Sequence, residues 1–564
     1  MGYKRLGDLL VSAGTISEQQ LMDALAEQKK TGEKLGDVLI RKKFVTQQEI
    51  FRALERQLGI QSIDLMREKV PKQMATLLPM AIAKRHNILP VKSSGGVLTL
   101  AVDDPLNFIA IEDARAATRL KITPVLATSE EITRAINELY GGEVADKALQ
   151  ELGKGDGRSE NQSINTVNDL SSADNENAAP TIRLVNSFLE YAVHQNASDI
   201  HMEPREKQMV VRMRIDGSLR QCFTVPVSSQ AAVIARVKVM ANMDIAEHRI
   251  PLDGRANIKV DGNDIDLRVS TLPTVYGEKV VIRMLYKSTK LLTYEGIGLR
   301  NKNLEKFKSL LENSNGVILI VGPTGSGKSS SMYTMIKNLN KEDVNLVTLE
   351  DPVEYNIDGI NQVQINDKTG MTFASGLRSI LRQDPDIVAV GEIRDGETAQ
   401  IAMRAALTGH LVLSTIHTND APSTLDRLRD IGVEDYLTAT ALKGVISQRL
   451  VKRICPNCKK GYTPTEKEQA MLHLPYNPGR TFYKGAGCPS CFGTGYKGRT
   501  AVFEILVINS KVKRAIADNV PHSELMEAIN ESDFETLLAD CQKLVLDGTT
   551  SLDEAYRTVN STDV

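Results

Sequence analysis

The chain has 564 residues, of which 41% are hydrophobic and 25% charged; this is typical of globular protein, and the chain is too long for a single core. Its 69 Lys and Arg residues nearly balance its 71 Asp and Glu residues, which gives no indication of nucleic acid as a partner. Because no apolar stretch reaches the length of a membrane span and the N-terminus lacks the apolar core of a signal peptide, we expect a cytoplasmic protein that meets a membrane only through partners.

The first feature along the chain is a tandem repeat, in which Arg5 corresponds to Lys34 and Gln28 to Gln57 at a constant offset. Each copy begins with a short predicted helix, and two apolar residues and a glutamine then share one face of a longer helix. Periodicity alone favours two packed helix pairs with leucine cores. The corresponding positions are Arg5, Leu6, Gly7, Leu21, Leu25 and Gln28 in the first copy, and Lys34, Leu35, Gly36, Ile50, Leu54 and Gln57 in the second.

This repeat resembles the tandem cyclic di-GMP-binding motif at the N-terminus of some type IV pilus and type II secretion ATPases. The resemblance implies that each copy binds one guanosine-phosphate half of the ligand, with a cation from Arg5 or Lys34 and hydrogen bonds from the glutamines. Two positions depart from the motif: Lys34 lacks the planar fork of the usual arginine, and Lys43 stands where the first copy has Gly14. Asp104 follows a predicted strand, and its simplest role is to form a turn. The resemblance implies a second possible role, in which Asp104 supports the same nucleotide site.

The predicted elements indicate an α/β multidomain protein. Residues 1–145 comprise a regulatory domain, in which the helical repeat precedes a small α/β part. Residues 146–179 are polar and rich in Gly, Ser, Asn and Asp, which predicts a flexible linker. Residues 180–287 form a middle α+β domain that contains SDIHMEP and RMRIDG, and the Asp216-Gly217 pair predicts a hairpin turn.

The strongest motif is GPTGSGKS, which matches the phosphate-binding loop GxxxxGKS/T at every fixed position. An apolar run at 317–321 predicts a buried strand before it, and 330–339 predicts a helix after it. Backbone N–H groups at such a helix N-terminus bind phosphate oxygens, so we expect Lys328 to reach the β- and γ-phosphates of ATP and Ser329 to hold Mg²⁺. The loop residues are Gly322, Pro323, Thr324, Gly325, Ser326, Gly327, Lys328 and Ser329.

Two acidic motifs follow, each at the end of a predicted strand. Glu350 lies in EDPVE, and Glu392 lies in GEIRD after an apolar run, as in a Walker B element. A glutamate there can orient or deprotonate the attacking water, although a single carboxylate could equally be a helix cap. His410 and His417 have no cysteine or further histidine nearby, so they are poor metal ligands; contact with the γ-phosphate and packing in the core remain open.

The order of these motifs resembles that of the secretion ATPase superfamily, the assembly motors of type IV pili and type II secretion. The resemblance implies a RecA-like ATPase domain at 288–505, a homohexamer with each nucleotide site between the middle and ATPase domains, and an inner-membrane platform protein as partner. It assigns catalysis to Glu392, Lys328, Glu350, Arg212 and Arg214. It also assigns nucleotide contacts to Arg378, Arg382, Arg394, His410 and His417.

Four cysteines form two CxxC pairs, Cys455 with Cys458 and Cys488 with Cys491. This spacing predicts tetrahedral thiolate coordination of a structural Zn²⁺ with no open position. The knuckle at 455–491 resembles that of assembly motors and is lacking in retraction motors. Residues 506–564 read as a helical extension without recognisable chemistry.

The sequence therefore predicts a hexameric ATPase at the inner face of the cell membrane that uses ATP and Mg²⁺ to extend type IV pili and is regulated by cyclic di-GMP. The nearest alternative is a type II secretion motor. Alternatives of other classes are a nucleotide-binding signalling protein without productive hydrolysis and a DNA-translocating ATPase, which the balanced charge does not favour.

Overall fold

A computed structural model describes residues 6–140, 179–286 and 292–560, except for 13, 32–34, 43, 46–48, 51–59, 66–67, 69, 106, 130 and 137–138. The chain divides into two compact units, Met1–Leu285 and Tyr286–Val564. The predicted linker lies outside the described residues up to position 178. None of the described helices is long and apolar enough to cross a membrane.

The first unit begins with a small helical core. Leu10, Ala24, Val38 and Leu39 are fully buried between its three helices. A three-stranded sheet follows, in which β1 and β2 are antiparallel and β2 and β3 are parallel. The elements are α1 (Leu6–Ser12), α2 (Glu18–Thr31), α3 (Leu35–Arg41), a 3₁₀ turn (Lys72–Thr76), α4 (Met80–His86), β1 (Ile88–Ser94), β2 (Val97–Val102), α5 (Phe108–Thr118) and β3 (Lys121–Leu126).

The rest of this unit is a six-stranded sheet in the order β6-β5-β4-β9-β8-β7 with two helices. The Asp216-Gly217 turn between β5 and β6 has φ values of 49° and 81°, which confirms the predicted hairpin with two positive-φ residues. The elements are α6 (Pro180–His194), β4 (Asp199–Pro204), β5 (Gln208–Ile215), β6 (Ser218–Pro226), α7 (Val227–Met240), β7 (Leu252–Val260), β8 (Asn263–Thr274) and β9 (Gly277–Tyr286).

The second unit is built on a seven-stranded sheet in the order β12-β11-β13-β14-β10-β15-β18. Strand β10 lies inside the sheet between β14 and β15 and is buried at every position, and its alternate residues enter two separate cores, one on each face of the sheet. This arrangement is what an apolar run in a parallel sheet requires, because helices cover both faces. The elements up to β14 are α8 (Asn301–Leu311), β10 (Gly316–Val321), α9 (Lys328–Leu339), β11 (Leu346–Glu350), β12 (Asn361–Gln364), α10 (Phe373–Ile380), β13 (Ile387–Val390), α11 (Gly396–Leu407) and β14 (Leu411–Ile416).

The remaining elements complete the sheet and carry the cysteines and the tail. Strand β18 closes one edge antiparallel to β15, and β16 pairs with β17 beside the cysteine cluster. The elements are α12 (Ser423–Asp430), α13 (Asp435–Ala441), β15 (Leu442–Ile454), β16 (Lys459–Tyr462), α14 (Glu466–Ala470), β17 (Phe482–Gly485), β18 (Tyr496–Val507), α15 (Ser510–Ala517), α16 (His522–Asn530), α17 (Leu537–Leu546) and α18 (Leu552–Asn560).

Candidate nucleotide and metal sites

The phosphate loop joins the end of β10 to the start of α9, which begins at Lys328. Gly322 and Gly327 have φ values of 140° and 93°, in the region that favours glycine. A Cβ on Gly322 would lie 2.5 Å from the carbonyl oxygen of Gln448, and one on Gly327 would lie 2.7 Å from its Nε2. Backbone strain therefore favours glycine at both positions. Close packing requires it at Gly322, where the neighbour is a main-chain oxygen, whereas at Gly327 the neighbour is the end of the Gln448 side chain.

Lys328 turns back over its own loop. Its Nζ donates hydrogen bonds to the carbonyl oxygens of Gly322 at 2.7 Å and Pro323 at 3.1 Å. Burial lowers the pKa of Lys328, and the negative charge of Glu392 opposes that shift. The ammonium group is thus held in the loop within electrostatic reach of the Glu392 carboxylate.

Gln448 supports the loop from strand β15, a role that the sequence did not reveal. It is 1% exposed, and its Oε1 accepts a hydrogen bond from Ser331 Oγ at 2.7 Å. Strand β15 pairs in parallel with β10, and Ser447 lies opposite Val321, the last residue of β10. Gln448, the next residue, therefore lies beside the start of the loop. A single glutamine in this strand forms no local sequence motif, so its role is recognised only from its burial and its hydrogen bond with Ser331.

Glu350 is buried at the end of β11. Its carboxylate accepts hydrogen bonds from Tyr333, from Thr348 at 2.6 Å and from Gln362 at 3.1 Å. The side chain therefore faces into the protein, where it is 4% exposed. All three of these partners belong to the same chain, and the predicted role of Glu350 at the nucleotide stays a prediction.

Glu392 lies in the segment after β13 and is more accessible. Its carboxylate contacts Arg394, and Oε2 lies 3.5 Å from Nε2 of His417, which follows β14. Arg394 also lies 3.8 Å from Asp351. Four of the predicted positions, Lys328, Glu392, Arg394 and His417, thus come together at the carboxyl ends of β10, β13 and β14, where α/β sheets bind ligands.

His410 lies at the opposite ends of the strands, just before β14 begins. Its carbonyl oxygen accepts a hydrogen bond from the N–H of Gly316, at the start of β10, whereas the phosphate loop follows the end of that strand. Its Nδ1 lies 2.9 Å from the carbonyl oxygen of Ala405. The structure therefore separates His410 from the loop of its own chain by the length of one strand, roughly 20 Å for six residues.

Two of the predicted nucleotide-contacting arginines lie in or just after α10. Arg378 forms an ion pair with Glu397 in the first turn of α11, and Arg382 Nη1 donates a hydrogen bond to the carbonyl oxygen of Arg378 at 2.9 Å. Within the described part of the chain, neither forms a hydrogen bond or ion pair with the phosphate loop. The structure thus groups them with each other and with Glu397 rather than with Lys328.

Arg212 and Arg214 belong to the first unit, on strand β5. Arg212 pairs with Glu203 at 2.7 Å, and Arg214 lies 3.4 Å from Asp199. Strand β9 adds Lys279, 3.5 Å from Glu203, and Arg283, 3.2 Å from Asp199. On strands β4, β5 and β9, four cationic side chains therefore surround two carboxylates. In water such a surface attracts anions.

The four cysteines of the two CxxC pairs form one cluster. Their Sγ atoms all lie within 4.8 Å of one another, and Cys455–Cys488 and Cys458–Cys491 are both separated by 3.8 Å. Four thiolates around one Zn²⁺ at about 2.3 Å would be about 3.8 Å apart. The four thiolates therefore fit a tetrahedrally coordinated metal ion. Such an ion would cross-link the two loops that carry the CxxC pairs and would have no catalytic role.

Backbone N–H groups near the cluster also favour metal binding. The N–H groups of Cys488 and Gly495 each lie 3.2 Å from Sγ of Cys491. Burial raises the pKa of Cys491, but these hydrogen bonds and those from the thiols of Cys488 and Cys458 lower it, and the balance is a pKa of about 7. Burial raises the pKa of Cys458 and Cys488, so Cys491 is the thiol of the three that ionises first. Donors of this kind stabilise the thiolate form, which is the form that binds a metal.

The structure describes only part of the predicted dinucleotide site. Leu21, Leu25 and Gln28 lie on α2, and a Cβ on Gly7 would lie 2.5 Å from Leu21 Cδ1, so glycine permits α1 and α2 to pack closely. Leu6 lies in α1, Leu35 and Gly36 in α3, Ile50 is buried, and Asp104 follows β2. Arg5, Lys34, Lys43, Leu54 and Gln57 lie outside the described residues.

Comparison with protein families gives two matches. Residues 174–557 match the family described as type II/IV secretion system protein, and residues 58–146 match the MshEN domain. The first match covers more than half of the chain, and the chain therefore belongs to the type II/IV secretion system protein family. It is an ATPase of that family, as the sequence predicted, and its MshEN match begins at residue 58, after the tandem repeat.

Individual relatives agree with this classification. The type IV pilus assembly ATPase PilB of Myxococcus xanthus (strain DK1622) is 39% identical over 559 residues, 98% of both chains. Type II secretion system protein E of Xanthomonas campestris pv. campestris is 41% identical over 505 residues, 89% of this chain and 87% of that protein. The solved structure of the Yersinia pseudotuberculosis ATPase DotB shares the fold, with a TM-score of 0.50 and 19% identity over 67% of this chain and 93% of that one.

Proposed function

We propose that this chain is the hexameric motor that hydrolyses ATP to extend type IV pili at the inner face of the cell membrane. The observation that carries this proposal is the likeness to a pilus assembly ATPase over 98% of both chains. The cysteine cluster supports assembly over retraction, because its geometry suits a structural metal and a knuckle of this kind resembles that of assembly motors, which retraction motors lack. A motor for type II secretion is the second candidate, because protein E of that system has a similar sequence identity to this chain, although over a shorter length.

In this proposal ATP and Mg²⁺ bind at the phosphate loop. Lys328 and the loop N–H groups bind the phosphates, and Ser329 holds the metal ion. Glu392 orients the attacking water and takes its proton, and Arg394 and His417 hold the Glu392 side chain in place. Arg212 and Arg214 supply positive charge to the transferring phosphoryl group.

The further predicted contacts belong to the assembled hexamer. Arg378 is exposed on α10, Arg382 is exposed shortly after its end, and His410 lies at the end of β14 away from the phosphate loop. We assign any contact that they make with nucleotide to the site of a neighbouring subunit. The partner at the membrane is a platform protein of the pilus machinery. Light scattering of the purified chain with an ATP analogue tests the hexamer, since a particle of one subunit mass excludes it.

Cyclic di-GMP is the proposed regulatory ligand of residues 1–145. The support is the tandem repeat together with the MshEN match, and a ligand with two equal halves suits two equal copies. Zn²⁺ is the proposed ion of the cysteine cluster, where four thiolates leave no open position.

A genetic experiment distinguishes the candidates. Deletion of the gene should abolish surface pili and leave protein secretion intact, and a copy carrying Glu392→Gln should not restore them. Loss of secretion with normal pili would instead identify a type II secretion motor. Purified protein that binds ATP without turnover would identify a signalling protein, and turnover that requires DNA would identify a translocase.

A further inference from the structure

A buried hydroxyl connects the helix of the phosphate loop to Glu350. Tyr333 lies on α9, five residues after Lys328, and is 1% exposed. Its hydroxyl donates a hydrogen bond to Oε2 of Glu350. Burial, and then the adjacent carboxylate, raise the pKa of Tyr333, so the phenol keeps its proton and remains a donor at neutral pH.

The carboxylate of Glu350 is occupied by partners within its own chain. Oε1 accepts hydrogen bonds from Thr348 Oγ1 at 2.6 Å and Gln362 Nε2 at 3.1 Å, in addition to the bond from Tyr333 to Oε2. At 4% exposure the side chain has little contact with solvent. A buried carboxylate with three donors acts as an anchor, because breaking any of these bonds would leave a polar group without a partner away from water.

The same hydroxyl holds the segment that follows β11, residues 351–357, which we call the post-β11 segment. The Tyr333 oxygen accepts hydrogen bonds from the N–H groups of Glu354 at 3.0 Å and Tyr355 at 3.2 Å. Gln362 completes the attachment, since its Nε2 donates to the carbonyl oxygen of Tyr355 at 2.9 Å and its Oε1 accepts from Ile357 N–H at 2.9 Å. One phenol oxygen thus ties this segment to α9.

The post-β11 segment reaches the proposed catalytic acid through charged contacts. Its first residue, Asp351, lies 3.8 Å from Arg394, and Arg394 contacts Glu392. We propose that Tyr333 and Glu350 are positioning residues for ATP turnover, which fix the post-β11 segment and thereby the contacts of Glu392. The proposal rests on the catalytic role proposed for Glu392 and takes the place of a direct role of Glu350 at the phosphates.

Tyr333→Phe in the full-length chain tests this, because it removes one oxygen and keeps the ring. The variant leaves the N–H groups of Glu354 and Tyr355 without that acceptor and Glu350 without one donor. We expect kcat for ATP hydrolysis to fall about tenfold or more, since a misplacement of about 1 Å can cost a hundredfold. Affinity for a non-hydrolysable ATP analogue should change less than about twofold, because Lys328 and the loop are untouched.

Tyr355→Phe is the matched control. Its ring lies 5.0 Å from that of Tyr333, and the substitution removes a hydroxyl from the same core while the main-chain bonds of residue 355 stay in place. It should retain the wild-type kcat. Glu350→Gln keeps the shape of the carboxylate, and the double variant with Tyr333→Phe should lose little more than the worse single variant, because both act through one contact.

A Tyr333→Phe protein with wild-type kcat overturns the proposal, as does a fall in kcat matched by an equal loss of analogue affinity. If Tyr333→Phe does not fold, Glu350→Gln carries the same expectation of reduced kcat at unchanged affinity. Glu392→Gln in the same assay tests the catalytic acid separately, so failure of the positioning role and failure of the proposed chemistry give different results.

Discussion

His417 and Glu392 meet at the ends of adjacent strands, with Nε2 of the histidine 3.5 Å from Oε2 of the carboxylate. Strands β13 and β14 pair in parallel, with Val390 opposite Ser414, so the segments that follow them emerge at the same edge of the sheet. Arg394 contacts the same carboxylate. The acid that we place at the attacking water is therefore held between a histidine and an arginine.

Glu392→Gln should abolish turnover while ATP binding persists. The substitution keeps the shape of the side chain and removes its basicity, and loss of a general base costs roughly a hundredfold or more in rate. Steady-state hydrolysis and binding of a fluorescent ATP analogue measure the two effects. Glu531→Gln is a suitable control, because Glu531 forms an exposed pair with Lys511 in the tail, and its rate should match the wild type. Hydrolysis by Glu392→Gln at the wild-type rate would refute the assignment.

Gly327→Ala should destabilise the phosphate loop more than Gly325→Ala. Both glycines have positive φ, at 93° and 80°, so each substitution incurs a similar backbone cost of about 1–2 kcal/mol. Only at Gly327 would the new Cβ also collide, at 2.7 Å from Gln448 Nε2; at Gly325 nothing lies within 4 Å. Thermal unfolding without nucleotide measures the difference. Equal losses of stability would show that Gln448 does not confine the loop.

Metal analysis of gently purified protein should find about one Zn²⁺ per chain, as four thiolates complete one tetrahedral site. Cys455→Ser should lower the metal content and the unfolding temperature, because metal binding contributes directly to folding of such loops. Cys222→Ser controls for the loss of a thiol outside the cluster and should leave the metal content unchanged. A wild-type protein without bound metal would contradict the zinc prediction.

Cyclic di-GMP should bind the full-length chain, and Arg5→Ala and Lys34→Ala should each weaken binding. Each substitution removes a cation from one half of the proposed site. We expect Arg5→Ala to cost more, because a guanidinium can bind phosphate through two parallel hydrogen bonds and an ammonium cannot. Isothermal calorimetry measures both. Absence of heat at high ligand concentration, with protein shown to be folded, would return the repeat to two ordinary packed helix pairs.

The local motifs could be predicted from the sequence because each one is formed by residues that are close together along the chain. The loop from Gly322 to Ser329 and the two CxxC pairs carry their own geometry, and the structure places the first between a strand and a helix and gathers the second within 4.8 Å. The apolar run of β10 likewise predicted a buried strand, because residues alternate between two cores only when both faces of a sheet are covered.

Only the tertiary structure decided which of these residues meet. Strand order and parallel register bring Gln448 beneath the loop and place His410 at the opposite ends of the strands, although His410 and His417 are close in sequence. The same packing turns Glu350 inward onto Tyr333 and leaves Glu392 beside His417. Spacing along the chain determines which groups a segment offers, whereas pairing between distant strands determines the direction in which each one points, and that information is spread over the whole core.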